Sequence, residues 1–453
     1  MQDEYVNFVR DKSQVGGQFG FEPSFIHPKL YDFQSHLVDF ACRQGRGAIF
    51  ADCGLGKTPM QLTWAHNVTR RENKPVLIIA PLMVSLQTVE EAEKFDYRAE
   101  RSLDGKFKPG AEIVTTNYER LSRFDPDDFA GVVCDESSIM KNFDGARKSE
   151  ITEFMKRVRY RLLCSATPSP NDYIELGTSS EALGYLGYMD MLGMFFKNDE
   201  DSLHPMSMGS HWRFKTHAQR DFWRWVCSWA RAARKPSDLG YDDGAFTLPE
   251  LIEREHVVES AVRCGDLFAL PATNLQEERE ERRSTIRQRC EAVARLLDGA
   301  DCAVSWADLN AEADTLIEMM PGAMQVKGGD PDEKKEEIFT AFRHGQLKRL
   351  VTKKKIAAYG INWQHCNRMT DFADHSFEGY YQAVRRFWRF GQTRPVTVDT
   401  ITTEGLIGVT KNRRRKSLAA EEMFRIMVEQ MNDALGVNRF KEHHAPVEIP
   451  AWL

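Results

Sequence analysis

The stretch GAIFADCGLGKT, residues 47–58, decides the fold. It begins with an apolar run, continues with a glycine-rich turn and leads into MQLTWAHNV, residues 60–68, which suits a helix. Backbone N–H groups in such a turn approach a phosphate closely, and the helix start adds the positive end of its dipole. We expect Lys57 to reach the terminal phosphates and the Thr58 hydroxyl to ligate magnesium. The stretch therefore predicts a phosphate-binding loop between a strand and a helix.

Two glycines, Gly54 and Gly56, give this turn its predicted shape and bring the backbone close to a bound nucleotide. Ala51 stands where the general P-loop pattern has its first glycine. A loop that matches the pattern by chance is the alternative, so the prediction depends on what else the chain carries.

Apolar runs of strand length continue on both sides of this turn. The first series spans residues 47–52, 75–81, 112–117, 131–136 and 160–167. The second series spans residues 302–308, 348–354, 368–374 and 396–402. Near-continuous apolar runs that alternate with stretches of helical length are typical of parallel strands covered on both faces. The predicted fold class is therefore α/β, with two tandem domains that each contain a parallel sheet.

The region between the two series differs in composition, with many turn residues and several tryptophans. We predict an N-terminal segment at residues 1–27 and a first domain at 28–180. A helical insertion with a linker follows at 181–290. The second domain is predicted at 291–410, and a C-terminal helix with a tail at 411–453. Apolar residues recur at helical spacing at Phe222, Trp225, Val226, Trp229 and Ala233. Arg220, Arg224 and Arg231 fall on another face. That basic face is either solvated or turned towards DNA.

Two carboxylates follow the apolar run of VVCDESS, residues 132–138. The end of a strand beside a P-loop is where an acid that holds magnesium belongs. We therefore predict that Asp135 holds magnesium through water and that Glu136 orients and deprotonates the attacking water. In CSATPSPND, residues 164–172, Ser165 and Thr167 either hydrogen-bond these carboxylates or form a plain turn before a proline.

A basic segment, QAVRRFWRFGQTR at residues 382–394, lies far from the P-loop in the sequence. Gln382, Arg386 and Arg389 have helical spacing, which places the two arginines on one face. Arginines presented to a hydrolysing phosphate neutralise charge in the transition state. The alternative is a basic helix face that only contacts the phosphates of DNA.

Composition excludes several classes of protein. The net charge of −6 gives no overall positive field for nucleic acid, although basic residues outnumber acidic ones between Arg385 and Lys416. The strongly apolar stretch at residues 75–84 is about half as long as a membrane-spanning helix. Nine scattered cysteines without a CxxC pair argue for reduced thiols. We expect a cytoplasmic protein without a membrane segment, a disulfide framework or a zinc ribbon.

These motifs together resemble those of the superfamily 2 helicases, and within them the Swi/Snf-type DNA translocases. The segments that carry the resemblance are ADCGLGKT at 51–58, DESS at 135–138, SATP at 165–168 and QAVRRFWRFGQ at 382–392, with LYDFQ at 30–34, TTNYERL at 115–121 and AAYGINWQHC at 357–366. Their order and spacing agree from about residue 28 to 400. The compact length and ATPSPNDYIELG at 166–177 look like phage- or prophage-encoded members, which would place the protein in the host cytoplasm.

The resemblance implies two RecA-like lobes that bind ATP and magnesium between them and track along double-stranded DNA. It places nucleotide contacts at Gln34, on the base, and at Gly54, Gly56, Lys57, Thr58, Gly360 and Gln382. Lys353, Lys354 and Lys355 are candidate contacts to DNA phosphates, and the alternative is an exposed strand end. Arg220 and Arg224 of the basic face described above are further candidates for DNA binding. Motif II reads DESS where the family more usually has DEGH or DEAH, so its fourth-position contact is expected to differ.

Two other functions fit the same sequence. A strand-separating helicase that acts on DNA or RNA would need a wedge element, which the sequence does not reveal. An ATP-gated DNA-binding partner of a nuclease would use the nucleotide only as a switch. The residues that hydrolysis requires are all present and argue against an inactive ATPase, namely Lys57, Asp135, Glu136, Arg386 and Arg389.

Overall fold

The computed structural model describes residues 19–141, 145–169, 173–198, 212–259, 272, 274–357 and 362–435. The chain divides into two compact units. The first contains the residues up to Phe246 together with those from Glu422 onward, and the second runs from Thr247 to Glu421. Each unit is built around a parallel sheet, so the predicted α/β class with two tandem domains is confirmed.

The first unit alternates strands and helices along most of its length. Its strands are β1 Arg46–Ala51, β2 Val76–Ala80, β3 Ala99–Arg101, β4 Ile113–Asn117, β5 Gly131–Asp135, β6 Tyr160–Cys164, β7 Phe196–Asn198, β8 Trp212–Phe214 and β9 Ala230–Ala233. Its helices are α1 Asp32–Gln44, α2 Lys57–Glu72, α3 Leu82–Lys94, α4 Ala146–Arg157, α5 Leu176–Leu183, α6 Tyr188–Phe195 and α7 Gln219–Cys227.

The seven strands of its main sheet run parallel in the order β3-β4-β2-β5-β6-β1-β9. Successive residues of β1 enter different cores, since Ala48 and Phe50 pack in one hydrophobic cluster whereas Ile49 and Ala51 pack in the other. This alternation shows that both faces are covered, as near-continuous apolar strands predict. Because β6 lies between β1 and β5, the P-loop and the acidic motif follow strands separated by one neighbour.

The structure divides the predicted 181–290 insertion between the two units, at Phe246. Helix α7 packs its aromatic face into the first core, where Trp225 and Trp229 are buried. The predicted helical pattern ends at Cys227, and the chain then adds β9 to the edge of the sheet beside β1. Arg231 lies in β9 rather than on a basic helix face, and it is buried over the ring of Phe40 at 3.8 Å.

The second unit has a six-stranded parallel sheet in the order β10-β15-β14-β11-β13-β12. Its strands are β10 Leu251–Val258, β11 Ala303–Ala307, β12 Met324–Gln325, β13 Arg349–Lys353, β14 Arg368–Phe372 and β15 Val396–Thr403. Its helices are α8 Leu275–Ser284, α9 Ile286–Leu296, α10 Asn310–Met319, α11 Asp332–Arg343, α12 Lys354–Ala357 and α13 Phe377–Val384. The four predicted strands of this domain are all present, in the interior of the sheet or beside its edge strands.

Helix α14, Ile407–Leu435, is the longest helix in the described part of the chain. Its residues up to Glu421 belong to the second unit and the following ones to the first, where Met427 and Met431 pack in the core. Among the described residues, no helix combines the length and the apolar character that crossing a bilayer requires.

Candidate active site

The P-loop connects β1 to α2 and depends on two residues with left-handed backbone. Gly54 and Gly56 have φ of 90° and 79°, conformations that residues with a Cβ rarely adopt. Helix α2 begins at Lys57, whose Nζ donates to the carbonyl oxygen of Ala51 at 2.9 Å. Thr58 is the second residue of the same helix and is half-buried. The local geometry is therefore the strand–turn–helix that the sequence predicts.

Gln34 lies against this loop from α1. Its Nε2 donates to the carbonyl oxygen of Leu55 at 2.9 Å, and its Oε1 accepts from the backbone N–H of Tyr31 at 3.0 Å. A Cβ at position 56 would lie only 2.2 Å from Gln34 Nε2, so Gly56 is also required by this close approach. The amide of Gln34 is thus oriented by the loop itself, and its contact with a base stays a prediction.

The acidic pair lies at the carboxyl end of β5. Asp135 is buried and accepts a hydrogen bond from Gln61 Nε2 at 2.6 Å. Burial raises the pKa of the Asp135 carboxyl to about 6, and Glu136 adds to the rise while Lys57 opposes it. Glu136 has a left-handed backbone, with φ of 55°, which is unusual for a residue with a side chain and typical of functional sites.

Several buried polar atoms at this edge of the sheet have no hydrogen-bond partner in the described structure. They are Glu136 Oε2, Ser137 Oγ, Gln61 Oε1, Asn117 Oδ1 and Thr167 Oγ1. A buried polar atom without a partner costs about 1–3 kcal/mol, so these atoms favour a ligand that hydrogen-bonds to them. Asn117 ends β4, Glu136 and Ser137 follow β5, Thr167 follows β6, and Gln61 lies on α2. The strands β4, β5 and β6 belong to one parallel sheet, so their carboxyl ends share one edge.

The residues present fit a nucleotide with magnesium. The P-loop supplies backbone N–H groups and the Lys57 cation, and the same edge of the sheet supplies the Asp135 and Glu136 carboxylates and the hydroxyls of Ser137 and Thr167. The described residues contain no cluster of three or more His, Cys, Asp or Glu side chains that could hold a metal by itself. Magnesium bound with phosphates needs only one or two protein carboxylates, so this finding is compatible with Thr58 and Asp135 as its ligands.

Two contacts at this site escaped the sequence prediction. Gln61, one helical turn after Lys57, supports Asp135 from the P-loop helix. Its spacing of four from Lys57 on a helix was the available signal. Tyr118, within the TTNYERL segment, donates its hydroxyl to the carbonyl oxygen of Asp135 and contacts Cys134 Sγ at 3.2 Å. Both residues hold the end of β5 in place.

Ser165 and Thr167 lie directly after β6, and they form a turn in which the Thr167 N–H donates to Ser165 Oγ at 3.0 Å. No hydrogen bond from either residue to Asp135 or Glu136 occurs in this conformation. The turn interpretation is therefore the one seen, while Thr167 Oγ1 stays among the buried atoms without a partner.

The second unit holds the basic segment in a different local structure from the one predicted. Helix α13 contains Gln382 but ends at Val384, so Arg386 and Arg389 lie in turns beyond it rather than on one helix face. The reason is that the chain bends to bury Phe387. Arg386 is buried and donates from Nη2 to Gln382 Oε1 at 2.9 Å.

Arg389 donates from Nη1 to Asn362 Oδ1, which joins the basic segment to the GINWQHC segment. The contact gives Asn362, two residues after Gly360, a structural role within the second unit. Gly360 itself lies outside the described residues, so its nucleotide contact stays a prediction.

The predicted DNA contacts differ in exposure. Lys355 is exposed and Lys353 is half-buried, but Lys354 is buried and bridges Asp371 at 2.6 Å and Asp374 at 2.9 Å. The prediction for Lys354 is corrected, because an ammonium held by two carboxylates inside the unit is not available to a phosphate. The lysine starts α12 and turns inward, whereas its neighbours point outward. Arg220 is exposed and Arg224 is half-buried, and their DNA role stays a prediction.

Comparison with protein-family models gives no match. Among curated proteins, the chain is 28% identical over 183 residues to the DNA annealing helicase and endonuclease ZRANB3 of Mus musculus, covering 37% of this chain and 17% of the relative. It is also 28% identical over 183 residues to the SWI/SNF-related matrix-associated actin-dependent regulator of chromatin subfamily A-like protein 1 of Xenopus tropicalis, covering 38% and 18%. The chain thus spans less than a fifth of the length of these relatives.

Among solved structures, the SWI2/SNF2 ATPase core of Sulfolobus solfataricus in complex with dsDNA matches 91% of this chain and 98% of its own, with a TM-score of 0.41 and 18% identity. Nothing among these similarities bears on the resemblance to phage-encoded members, which stays a hypothesis. The sequence similarity supports the resemblance to the Swi/Snf-related helicases over the part of the chain that it covers.

Proposed function

We propose that this protein is an ATP-driven motor that tracks along double-stranded DNA. The observation that supports it best is the edge of the first sheet, where the P-loop faces a buried acidic pair and unpartnered hydroxyls. The similarity to two curated relatives, one named a DNA annealing helicase and the other SWI/SNF-related, supports DNA as the partner. ATP and magnesium as cofactors and a cytoplasmic location belong to the same proposal.

Each residue of the first unit has a distinct proposed task. Lys57 neutralises phosphate charge, and its position beside the loop carbonyls keeps the cation at the turn. Asp135 and Thr58 hold magnesium, which supplies electrostatic stabilisation of phosphate charge when bound. Glu136 is the general base, because its Oε2 is buried and has no protein partner to compete with a water molecule.

We propose that Arg386 and Arg389 of the second unit stabilise transition-state charge. Arginine suits this task because its guanidinium stays charged and donates in a fixed planar geometry. Arg386 is held by Gln382 and Arg389 by Asn362, so both guanidinium groups are oriented before any ligand binds. Their replacement should lower the maximal rate of hydrolysis more than it weakens ATP binding.

The first experiment measures ATP hydrolysis without nucleic acid and with duplex DNA, single-stranded DNA or RNA. Duplex DNA should stimulate hydrolysis most. Glu136→Gln should keep nucleotide binding and lose turnover, with the exposed Glu153→Gln as a matched control that behaves as wild type. Turnover of Glu136→Gln above about a tenth of wild type would contradict the role of Glu136 as base.

The second experiment separates tracking from strand separation. A motor that follows an intact duplex displaces a third strand from a triplex and unwinds a fork weakly. Efficient fork unwinding without triplex displacement would favour a strand-separating helicase instead. Nucleotide-dependent DNA binding without turnover would favour the ATP-gated partner of a nuclease.

A further inference from the structure

Two cysteines of the second unit are brought together by its sheet, although they are distant in sequence. Cys302 directly precedes β11, and Cys366 lies just before β14. These strands are parallel neighbours with Val304 opposite Met369, so extending the register backwards places residue 302 opposite 367. A diagonal neighbour across parallel strands lies about 6 Å away between Cα atoms, which is within the range of a disulfide.

The two thiols are close enough that each influences the pKa of the other. The Cys366 thiol donates to the carbonyl oxygen of Arg368 at 3.5 Å. His365 belongs to the same surroundings of Cys302. Arg394 donates from Nη2 to the carbonyl oxygen of His365 at 2.5 Å. This hydrogen bond holds the positive charge of Arg394 near the two cysteines.

The two thiols have unequal environments. Cys302 is partly exposed, whereas Cys366 is fully buried. The neighbouring Cys366 thiol lowers the pKa of the Cys302 thiol to about 6 despite its burial, with His365 and Arg394 adding to the effect. Burial and the neighbouring Cys302 raise the pKa of Cys366 well above its usual value. The more accessible of the two thiols is therefore also the one that ionises more readily.

We propose that Cys302 and Cys366 form an oxidation site for hydroperoxides, in which Cys302 reacts first and Cys366 resolves the product as a disulfide. The oxidation of these two thiols requires neither ATP hydrolysis nor DNA binding, so this proposal does not rest on the proposed function. In the reduced form the pair is compatible with the reducing cytosol, where disulfides are typically transient.

The chemistry balances with one peroxide for each disulfide. The Cys302 thiolate attacks a peroxide oxygen, the O–O bond breaks, and the leaving oxygen departs as hydroxide or alkoxide and takes a proton from solvent. Cys302 is then a sulfenic acid. The Cys366 sulfur attacks the sulfenic sulfur, the S–O bond breaks, and the hydroxide leaves as water with the proton of the Cys366 thiol. Two thiols are oxidised and the peroxide is reduced.

The disulfide would fix the turn that positions the end of the basic segment. Gln392 Nε2 donates to the carbonyl oxygens of Gln364 at 3.0 Å and Cys366 at 3.1 Å. The backbone N–H of Trp363 donates to the carbonyl oxygen of Arg386 at 2.9 Å. Oxidation at Cys366 therefore restrains a segment in contact with the residues on either side of Arg389.

The test treats the full-length reduced protein with hydrogen peroxide at pH 7 and maps disulfides by mass spectrometry of peptides under non-reducing conditions. A Cys302–Cys366 crosslink is expected, with loss of the crosslink in Cys302→Ala. Cys366→Ala should instead accumulate a sulfenic acid at Cys302 that a dimedone probe captures. Cys290→Ala, which removes a buried thiol of the same unit whose pKa burial raises to about 12, should leave the crosslink unchanged.

A second measurement keeps the proposal testable if a variant folds poorly. The alkylation rate of Cys302 by iodoacetamide in the wild-type protein should change less than twofold between pH 7 and 8.5, because its thiolate is already formed. An ordinary thiol gains about tenfold over that interval. A tenfold rise at Cys302, or a crosslink that forms only in denaturant, would overturn the proposal.

Discussion

Replacing Gly56 with alanine tests how tightly the P-loop is joined to Gln34. The backbone at Gly56 has φ of 79°, and a new Cβ would lie 2.2 Å from Gln34 Nε2. Two effects should therefore destabilise the first unit. Alanine in a left-handed conformation costs about 1 kcal/mol. Gln34 must also move, which breaks its hydrogen bonds to Leu55 and Tyr31 at a further cost of about 2 kcal/mol.

A matched control separates these two effects. Gly110 in the same unit has φ of 82°, but a Cβ there would meet nothing within 4 Å. Gly110→Ala should therefore cost only the conformational part, about 1 kcal/mol, against about 3 kcal/mol for Gly56→Ala. Urea unfolding followed by tryptophan fluorescence compares the two variants under identical conditions.

A double-mutant cycle assigns the remaining difference to Gln34. In a Gln34→Ala background the clash is gone, so Gly56→Ala should cost about 1 kcal/mol and the cycle should show a coupling of about 2 kcal/mol. The reasoning is refuted if Gly56→Ala is no more destabilising than Gly110→Ala, or if its cost is the same with and without the Gln34 side chain.

Three further predictions follow from the site and the basic residues. Gln61→Leu should lower ATP turnover about tenfold, measured by steady-state kinetics, because the Asp135 carboxylate loses its hydrogen bond. Lys354→Met should lower the free energy of unfolding by about 3 kcal/mol, since it removes the buried cation that bridges Asp371 and Asp374 and leaves Asp371 with Arg413 alone, whereas the exposed Lys355→Met should change it by less than about 0.5 kcal/mol. Affinity for duplex DNA should fall steeply between about 50 and 200 mM salt in a binding titration, because the proposed contacts are to phosphate.

The amino-acid sequence determined the interior strands of both sheets. The runs predicted at 47–52, 75–81 and 131–136 are the strands β1, β2 and β5 within one or two residues. Such strands are covered on both faces, so burial requires apolar residues at nearly every position and the pattern is local. The P-loop was equally evident, because its glycines need backbone conformations that few other residues adopt.

The edge strands were decided by the tertiary structure. Strand β3 has the sequence AER and strand β10 has LIEREHVV, neither of which is a continuous apolar run. Strand β9, ARAA, was predicted as the end of a helix. These segments become strands because their backbone groups hydrogen-bond to a neighbouring strand. That strand is far away in the sequence, so the pairing cannot be predicted from the segment itself.

The same distinction applies to the side chains of the site. Residue types and strand ends predicted Lys57, Asp135 and Glu136, because their chemistry depends on local motifs. The contact of Gln61 with Asp135 and the inward turn of Lys354 could not be predicted, because each depends on which distant carboxylate lies within reach. A long flexible side chain can reach several possible ion-pair or hydrogen-bond partners. Which of them it contacts depends on the tertiary structure, which decides the groups that lie within reach.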